Sequence, residues 1–294
     1  MLPTSIDKIT IDGRIFYVKR DDLYDPHLSG NKFRKLHKLI QTPKENLDKL
    51  ISYGGTQSNA MLAIAKLCHL KGWEFIYYTK PISDAQKQQN SGNFYEAVKL
   101  SMKHIEIEHD RYKEEISNLR FNLDSKTYIV DQGGAVSEAE DGLKVLADEI
   151  KEQLKGLDVK SLATPSGTGT TALFLAKALP EYKVYTTPCV GDIEYLKTQM
   201  SALVDHLPDN LIILEPKKKY HFAKLYPSFL EIYKKLLNAG IEFDLLYAPG
   251  MWEALLEQTD EEVLYIHSGG VSGNKTMLER YMKITLSSKP TRSG

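Results

Sequence analysis

Residues 50–70 read LISYGGTQSNAMLAIAKLCHL, and this stretch is the clearest indication of the fold. Its first four residues are an apolar run typical of a strand, and the next six form a turn of glycine and small polar residues. From residue 60 onward the apolar residues suit one face of a helix. Units of this kind recur along the chain. Because strands alternate with helices, the sequence predicts an α/β architecture with mainly parallel sheets.

Further elements are predicted from short apolar runs and from helical spacing. Strands are expected at residues 74–79, 105–107, 127–130, 159–163, 183–187, 211–214, 243–247 and 263–267. Helices are expected at residues 60–70, 92–103, 139–154, 171–179, 222–237 and 252–258, and residues 287–294 read as a loose tail. Gly133 and Gly134 stand between the strand at 127–130 and the long helix that follows it.

The composition excludes several classes of protein. The 294 residues are 42% hydrophobic and 26% charged, which is ordinary for a folded globular chain. The net charge of −1 provides no basic field for nucleic acid or an anionic membrane. Cys68 and Cys189 are too few for a disulfide framework or a thiolate zinc site. Residues 1–16 lack the apolar core of a secretory signal, and no run reaches the ~18–20 apolar residues of a membrane span. We therefore expect a cytoplasmic protein.

The first chemical candidate is Lys32, in the segment SGNKFRKL at residues 29–36, downstream of KRDDL at 19–23. A lysine at the start of a helix and partly desolvated has a lowered pKa, and its neutral amine can form a Schiff base. The alternative is a solvated helix face that happens to hold Lys32, Lys35 and Lys38. The tetrapeptide SGNK recurs at residues 272–275, so by itself it does not identify the reactive lysine.

Two turns rich in glycine and hydroxyl groups are candidate anion sites. GGTQSN at residues 54–59 offers backbone N–H groups at a helix start, which suits a carboxylate; the alternative is a plain turn with an N-cap serine. TPSGTGTT at residues 164–171 suits a phosphate; the alternative is a flexible strand-to-helix turn. The second turn has neither the Walker A ending nor the spacing of a dinucleotide fingerprint, which favours a phosphorylated cofactor over a nucleotide.

Two segments near the C-terminus complete the candidate set. Tyr247 ends the predicted strand at 243–247, where an α/β sheet places its ligands, so it is either a proton donor or acceptor or a buried structural tyrosine. Ser268, in HSGG at 267–270, either hydrogen-bonds a ligand ring atom or belongs to a plain turn. The eight histidines show no metal-binding spacing, so no metal is expected. The acidic pairs at 21–22 and 261–262 and the lysines at 217–219 read as solvated charge.

Taken in order, these motifs resemble the pyridoxal 5′-phosphate (PLP) enzymes of the 1-aminocyclopropane-1-carboxylate (ACC) deaminase and D-cysteine desulfhydrase family. The matching segments run from residue 19 to residue 270, most of the chain. The resemblance implies a tryptophan-synthase-β-like fold (PLP fold type II), with two α/β domains and the cofactor between them. We place a smaller domain at residues 45–130 and a larger, PLP-binding domain at residues 1–44 and 131–294. A homodimer is also implied.

The resemblance also implies roles for individual residues. Lys32, in the first SGNK, matches the family's Schiff-base lysine, and Tyr247 matches a tyrosine of its acid–base chemistry. Tyr220 is our choice for a second family tyrosine, with Tyr226 as the alternative. The remaining matches hold the cofactor or the substrate. Ser58 and Asn59, with Gln57 beside them, match positions that hold the substrate carboxylate and the cofactor ring hydroxyl. The positions that hold the phosphate match Ser166, Gly167, Thr168, Gly169, Thr170 and Thr171.

The chain departs from the family at three positions that bear on the reaction. Ala248 stands where ACC deaminases carry a glutamate near the pyridine nitrogen, and Ser268 where they carry leucine; desulfhydrases have threonine at both. Ala60 replaces a frequent glutamine. With Ser268 as a neutral ring partner, we expect β-elimination of D-cysteine to pyruvate, sulfide and ammonia. The alternatives are ACC deamination to 2-oxobutanoate and ammonia, and a non-catalytic homologue that binds PLP or an amino acid.

Overall fold

The computed structural model describes residues 3–28, 30–121, 123–132 and 139–287. Ser29 of the first SGNK, the glycine pair 133–134 and residues 288–294 of the expected tail therefore lie outside the described residues. Within the part that is described, no helix is long and apolar enough to cross a membrane.

The described residues contain ten strands and twelve α-helices. The strands are β1 (Ile6–Ile11), β2 (Arg14–Lys19), β3 (Lys49–Tyr53), β4 (Glu74–Thr79), β5 (Lys103–Glu106), β6 (Thr127–Ile129), β7 (Ser161–Ala163), β8 (Lys183–Thr186), β9 (Leu211–Ile213) and β10 (Val263–Ile266). The helices are α1 (Gly30–Lys35), α2 (His37–Gln41), α3 (Asn59–Lys71), α4 (Asp84–Lys87), α5 (Asn93–Lys99), α6 (Tyr112–Asn118), α7 (Ala139–Gln153), α8 (Thr170–Ala178), α9 (Ile193–Ser201), α10 (Pro227–Asn238), α11 (Ala248–Gln258) and α12 (Asn274–Ser287).

The strands form two sheets. The six-stranded sheet has the order β1-β2-β10-β7-β8-β9, and the four-stranded sheet has the order β5-β4-β3-β6. Every neighbouring pair is parallel except β1 with β2. The predicted α/β architecture with mainly parallel sheets is confirmed. The four-stranded sheet uses residues 49–129, and the division of the chain into domains at residues 45 and 130 stays a prediction.

Both faces of the larger sheet are covered, as parallel sheets require. Strand β10 shows this directly, because successive side chains point to opposite faces. Val263 and Tyr265 pack in one apolar cluster with Trp252 of α11, whereas Leu264 and Ile266 pack in another with residues of α7 and α8. The smaller sheet packs against α3, eight of whose thirteen residues are buried in or beside a third cluster.

Eight of the predicted strands are present in the structure, but the strand predicted at residues 243–247 is wrong. In this segment, side chains form hydrogen bonds with the backbone N–H and C=O groups that a strand would use to pair with its neighbour. The Asn274 amide accepts a hydrogen bond from the Leu245 N–H at 2.9 Å and donates to the Phe243 carbonyl, also at 2.9 Å. The Asp244 carboxylate accepts from the N–H groups of Leu246 and Tyr247. The segment therefore forms a side-chain-supported turn, and α11 begins directly after it.

Candidate active site

A cavity of about 380 Å³ lies where turns follow β3, β7 and β10. The carboxyl ends of parallel strands are the usual place for ligands in α/β sheets. The cavity collects residues that are far apart in sequence. Twelve of the thirteen residues that we predicted for the site line it: Lys32, Gln57, Ser58, Asn59, Ser166, Gly167, Thr168, Gly169, Thr170, Thr171, Tyr247 and Ser268. Tyr220 does not.

Lys32 lies on α1 at the cavity wall. Burial lowers the pKa of its amine to about 8, because desolvation disfavours the charged ammonium form. The alternative of a solvated lysine face is wrong for Lys35, which is only 4% exposed, lines the same cavity and has a pKa well below its usual value, first through burial and then through the charge of Lys32. Lys38 is exposed.

The N-terminal end of α1 is docked on the turn that follows β10. The Asn31 N–H donates to the Ser268 carbonyl at 3.1 Å. Gly30 has a φ of +61°, and a Cβ added there would lie 2.2 Å from the same carbonyl oxygen. Only glycine fits this approach, because any side chain would both collide and strain the backbone. The two motifs SGNK and HSGG are therefore a single packed unit.

A buried ion network fixes the other end of α1. The Arg34 guanidinium donates to both oxygens of Asp21, at 2.8 and 3.0 Å, and to both oxygens of Glu149 on α7, at 2.7 Å. Lys19 pairs with Glu149 at 2.9 Å. Asp21 is 1% exposed, so the interpretation of this acidic residue as solvated charge is wrong. The KRDDL motif is thus part of the support for the helix that carries Lys32.

Ser58 serves as the N-cap of α3. Its Oγ accepts a hydrogen bond from the Met61 N–H at 3.2 Å, which confirms the N-cap alternative. The cap does not exclude an anion site. Gln57, Ser58 and Asn59 line the cavity at the N-terminus of a thirteen-residue helix, and this end of a helix carries partial positive charge.

The loop from Ser166 to Thr171 also lines the cavity and leads into α8. Gly169 has a φ of +77°, and a Cβ there would lie 2.4 Å from Cγ of Met200. Gly167 faces Tyr247, which a Cβ would approach to 3.5 Å. The buried Thr171 hydroxyl has no hydrogen-bond partner among the described residues. A phosphate fits this loop, because small residues at a helix N-terminus let the backbone approach an anion and the hydroxyl is left to donate.

Tyr247 reaches the cavity from the N-terminal end of α11. Its backbone N–H donates to Oδ1 of Asp244 at 2.6 Å. Burial, followed by the nearby Cys189 and Asp244, raises the pKa of the Tyr247 phenol above its usual value, so the hydroxyl keeps its proton at neutral pH. The ring of Phe222 lies 5.2 Å from the Tyr247 ring and also lines the cavity.

Tyr220 lies outside this cavity, and its hydroxyl donates to Glu253. The alternative, Tyr226, accepts the His221 N–H at 2.9 Å and does not line the cavity. Instead, Phe222 occupies the wall beside Tyr247. The helix predicted from residue 222 begins only at Pro227, so residues 220, 222 and 226 all precede it and helical spacing gave no means of choosing among them.

The three departures from the family pattern lie in different surroundings. Ser268 and Ala60 line the cavity, and the Ser268 hydroxyl is 3.4 Å from that of Thr164. Ala248 is 1% exposed, packs in the apolar cluster around Trp252 and is not part of the lining. Of the two residues expected at the pyridine nitrogen, the structure therefore places only Ser268 at the cavity.

Sequence patterns missed three residues that bear on the site. Phe222 and Tyr195 line the cavity although they are 42% and 44% exposed, and Asn93 hydrogen-bonds Asn59 from a neighbouring helix. Phe222 and Tyr195 stand in no glycine-rich turn or motif. Asn93 ends a third copy of the tripeptide SGN, at residues 91–93, but Phe94 follows it in place of a lysine, so the local sequence did not identify it as part of the site. Their importance comes only from the fold, which brings separate segments together.

The fold and the site define an α/β protein with the tryptophan-synthase-β-like architecture of PLP fold type II. A crystal structure of an ACC deaminase homologue superposes with a TM-score of 0.79 at 20% identity, covering 95% of this chain and 94% of that one. A crystal structure of a T.th. threonine deaminase superposes with a TM-score of 0.66 at 13% identity, covering 91% and 92%. At these identities the likeness establishes the fold alone, and it confirms the fold predicted from the sequence.

Curated relatives confirm the family resemblance. A putative ACC deaminase from Thermotoga maritima is 26% identical over 284 residues, 87% of this chain and 89% of the relative. A bifunctional D-cysteine desulfhydrase/ACC deaminase from Arabidopsis thaliana, described as mitochondrial, is 26% identical over 310 residues, 92% of this chain and 77% of the relative. No family model matches the chain.

Proposed function

We propose that this chain is a PLP-dependent lyase of a small amino acid, with D-cysteine as the leading substrate. The balanced reaction is D-cysteine plus water to pyruvate, hydrogen sulfide and ammonia. One observation carries the proposal: a single cavity combines a lysine of lowered pKa, a loop suited to phosphate and the positive end of α3. The names of the relatives, which include both desulfhydrases and ACC deaminases, support it.

Different residues of the cavity would bind different parts of the cofactor and the substrate. The loop Ser166–Thr171 and the N-terminus of α8 would hold the phosphate of PLP, and Lys32 would hold its reactive carbon through the amine. When bound, PLP supplies an electron sink for the reacting amino acid. The N-terminus of α3, with Ser58 as its cap, would orient the substrate carboxylate by charge and N–H donation.

Lys32 and Tyr247 have the properties needed for proton transfer. With a pKa of about 8, on the order of a tenth of the Lys32 amine is neutral at pH 7, far more than for an ordinary lysine, and this form can accept a proton. Because its pKa is raised, the Tyr247 phenol is protonated at neutral pH, so it has a proton to donate and no phenolate to act as a base. We therefore assign proton removal to Lys32 and proton donation to Tyr247. Tyr220 as a second acid–base tyrosine remains a prediction without support from its position.

The residue at position 268 favours β-elimination over ring opening. A serine hydroxyl is a neutral partner for a ring nitrogen, whereas a carboxylate would keep that nitrogen protonated. A less electron-withdrawing ring suits a substrate with a good leaving group such as a thiolate. ACC deamination to 2-oxobutanoate and ammonia is the second candidate, because the relative from Thermotoga maritima is named for that reaction. Homodimer formation and a cytoplasmic location stay predictions.

The test compares the two lysines that follow the tripeptide SGN. The purified protein is incubated with PLP, its visible absorption spectrum is recorded before and after D-cysteine is added, and pyruvate and sulfide are measured. Lys32→Ala should abolish the cofactor band and the products. Lys275→Ala, at an exposed position on α12, should leave both within about twofold of wild type, since isolated surface substitutions have small effects.

The same assay separates the alternatives. Release of 2-oxobutanoate from ACC at a higher rate than pyruvate from D-cysteine would reverse the order of the two substrates. A cofactor band that shifts with amino acids without product would favour the non-catalytic homologue. No band in wild-type protein, or full activity in Lys32→Ala, would contradict the proposal.

A further inference from the structure

Asn93 is a buried amide outside the segments predicted for the site, yet it contacts the cavity wall. It is the first residue of α5 and is 1% exposed. Its Nδ2 donates to the Gln57 carbonyl at 3.1 Å and to Oδ1 of Asn59 at 2.7 Å. Its Oδ1 accepts from the Ser272 hydroxyl at 2.8 Å. All three contacts lie within hydrogen-bond distance, so the amide is held on both of its ends.

The backbone carbonyl of Gln57 determines which way the two amides point. A backbone carbonyl can only accept hydrogen bonds, so the Asn93 atom that faces it is the NH2 group. The same NH2 group faces the side chain of Asn59, and the Asn59 atom it meets must therefore be the carbonyl oxygen. The NH2 group of Asn59 is then the end that remains for the cavity.

We propose that Asn93 is a positioning residue that holds Asn59 with its N–H donors toward the cavity, so that the group bound at Asn59 is an anionic or carbonyl oxygen. The inference rests on the proposed function and deepens it. The orientation of the Asn59 amide, and not merely the presence of an asparagine, restricts which ligand atom can bind there. It also explains why a buried asparagine stands on α5, a helix from which no described residue lines the cavity.

The test begins with Asn93→Asp, which keeps the shape of the side chain but removes the NH2 group. Without that donor the Asn59 oxygen is released, and the buried carboxylate attracts the Asn59 NH2 group away from the cavity. We expect the affinity of the apo-protein for PLP, followed by the visible band without any amino acid, to fall about tenfold or more, as for a buried partner left unpaired. A cofactor affinity equal to that of wild type would overturn the inference for the cofactor oxygen.

An oxygen of the substrate carboxylate is the other group that could accept a hydrogen bond from Asn59. D-alanine, which has a carboxylate but no leaving group, is titrated into the PLP-loaded protein and followed by the change in the visible spectrum. A loss confined to D-alanine affinity in Asn93→Asp places the carboxylate at Asn59, whereas a loss in PLP uptake places the cofactor there. No change in either titration would contradict the inference altogether.

Two control variants separate positioning from stability. Asn210 is matched to Asn93, because its Nδ2 also donates to backbone carbonyls, at 2.8–3.0 Å, but it does not line the cavity. Asn210→Asp should lower the midpoint of thermal unfolding and leave the PLP affinity within about twofold of wild type. Ser272→Ala removes the contact at Oδ1 of Asn93 but keeps both donor bonds, to Gln57 and Asn59, that set its orientation, so it should also leave the affinity within about twofold. Losses in either control equal to that of Asn93→Asp would mean that general destabilisation is the cause.

A double-mutant cycle tests whether Asn93 acts through Asn59. In an Asn59→Ala background, Asn93→Asp should cause no further loss of affinity; a full additional loss would contradict the inference. If Asn93→Asp does not fold, Asn59→Asp replaces it, since one carboxylate oxygen accepts from Asn93 and the other presents an acceptor to the cavity. It should show the same loss. If wild type itself takes up no PLP, the proposed function fails and the inference with it; if wild type takes up PLP and both variants equal it, only the inference fails.

Discussion

At Lys32 the chemistry depends on desolvation. Burial is the physical cause of its lowered pKa, because an ammonium group loses hydration when protein atoms surround it. Lys35, one helical turn further on, experiences the same effect more strongly. A pair of lysines on one short helix would repel each other if both were charged. The site therefore favours at least one neutral amine, which is the form that attacks a carbonyl carbon.

This property predicts the pH dependence of cofactor uptake. A lowered pKa means that the neutral amine of Lys32 accumulates as the pH rises through about 8, well below the usual lysine value of 10.5. We expect the rate at which apo-protein acquires the visible PLP band to increase up to about that pH and then to level off. Stopped-flow absorbance over a pH series measures this. Lys32→Ala should show no band at any pH, and a rate that still rises near pH 10.5 would contradict the prediction.

Several residues could be assigned from the sequence because their surroundings are local. Ser58 follows two glycines and precedes an apolar helix, so its position at a helix start was predictable. Phe222 and Asn93 were not, because each reaches the site across a fold that no short segment encodes. Asp21 was misread for the same reason. Its partner Arg34 is thirteen residues away, and the burial of the pair depends on Glu149 of α7.

At the scale of elements, helix α1 is held where it crosses α7. Gly142 of α7 lies against the backbone of α1, and a Cβ added there would be 1.8 Å from the Arg34 carbonyl oxygen and 2.7 Å from Cβ of His37. These are rigid atoms, so the two helices would have to separate. The crossing distance set by Gly142 therefore contributes to the position of Lys32, two residues before Arg34.

We predict that Gly142→Ala destabilises the protein by about 1–3 kcal/mol, the usual cost of overpacking, and weakens PLP uptake because α1 moves. Gly250→Ala is the matched control. Gly250 also lies within a helix, α11, but an added Cβ would be 3.6 Å from the Phe229 ring, an ordinary contact. Its free energy of unfolding should be unchanged or increased. Urea unfolding measures both variants, and equal stability of the two would show that the crossing is not tight.

The elements that the sequence predicted well are the buried parallel strands and the long amphipathic helices. β4 has the predicted limits at residues 74–79, and α7 ends one residue before the predicted end. The hairpin of β1 and β2 was missed, although Asp12 and Gly13, with φ values of 51° and 78°, form the Asp-Gly turn that favours hairpins. The strand predicted at 243–247 failed because Asp244 and Asn274 bond its backbone, and this competition involves a residue about thirty positions away.

At the scale of the whole molecule, one buried network joins distant parts of the chain. Thr4 donates to Asp21 at 2.6 Å, Arg34 joins Asp21 to Glu149, and Lys19 bonds Glu149, Gln153 and the Thr4 carbonyl. The network thereby connects the N-terminal segment, strand β2 of the larger sheet, α1 and α7. Such a buried group of charges stabilises the fold only while every member keeps its partners.

Through Glu149, the contribution of this network to the free energy of unfolding depends on pH. Burial alone raises its pKa, but the hydrogen bonds from Arg34 and Lys19 outweigh burial and lower the pKa below the usual 4.5. A carboxylate with a lowered pKa stabilises the folded state above its usual pKa, and this contribution is lost as the pH falls through the lower folded-state value. Glu149→Gln should therefore weaken the dependence of unfolding free energy on pH below about 4.5.

At neutral pH the same variant removes the carboxylate that pairs with Lys19 and one of the two carboxylates that pair with Arg34, and we expect this loss of buried charge to cost about 3–5 kcal/mol. Glu152→Gln is the control, because Glu152 is on the same helix but 72% exposed and pairs with the exposed Lys155. Its change should stay within about 0.5 kcal/mol. Denaturant unfolding of wild type and both variants from acid to neutral pH measures the two effects together. If Glu149→Gln keeps both the neutral stability and the acid slope of wild type, the network does not couple these parts of the molecule, and α1 must be fixed by its packing against Gly142 and Ser268 alone.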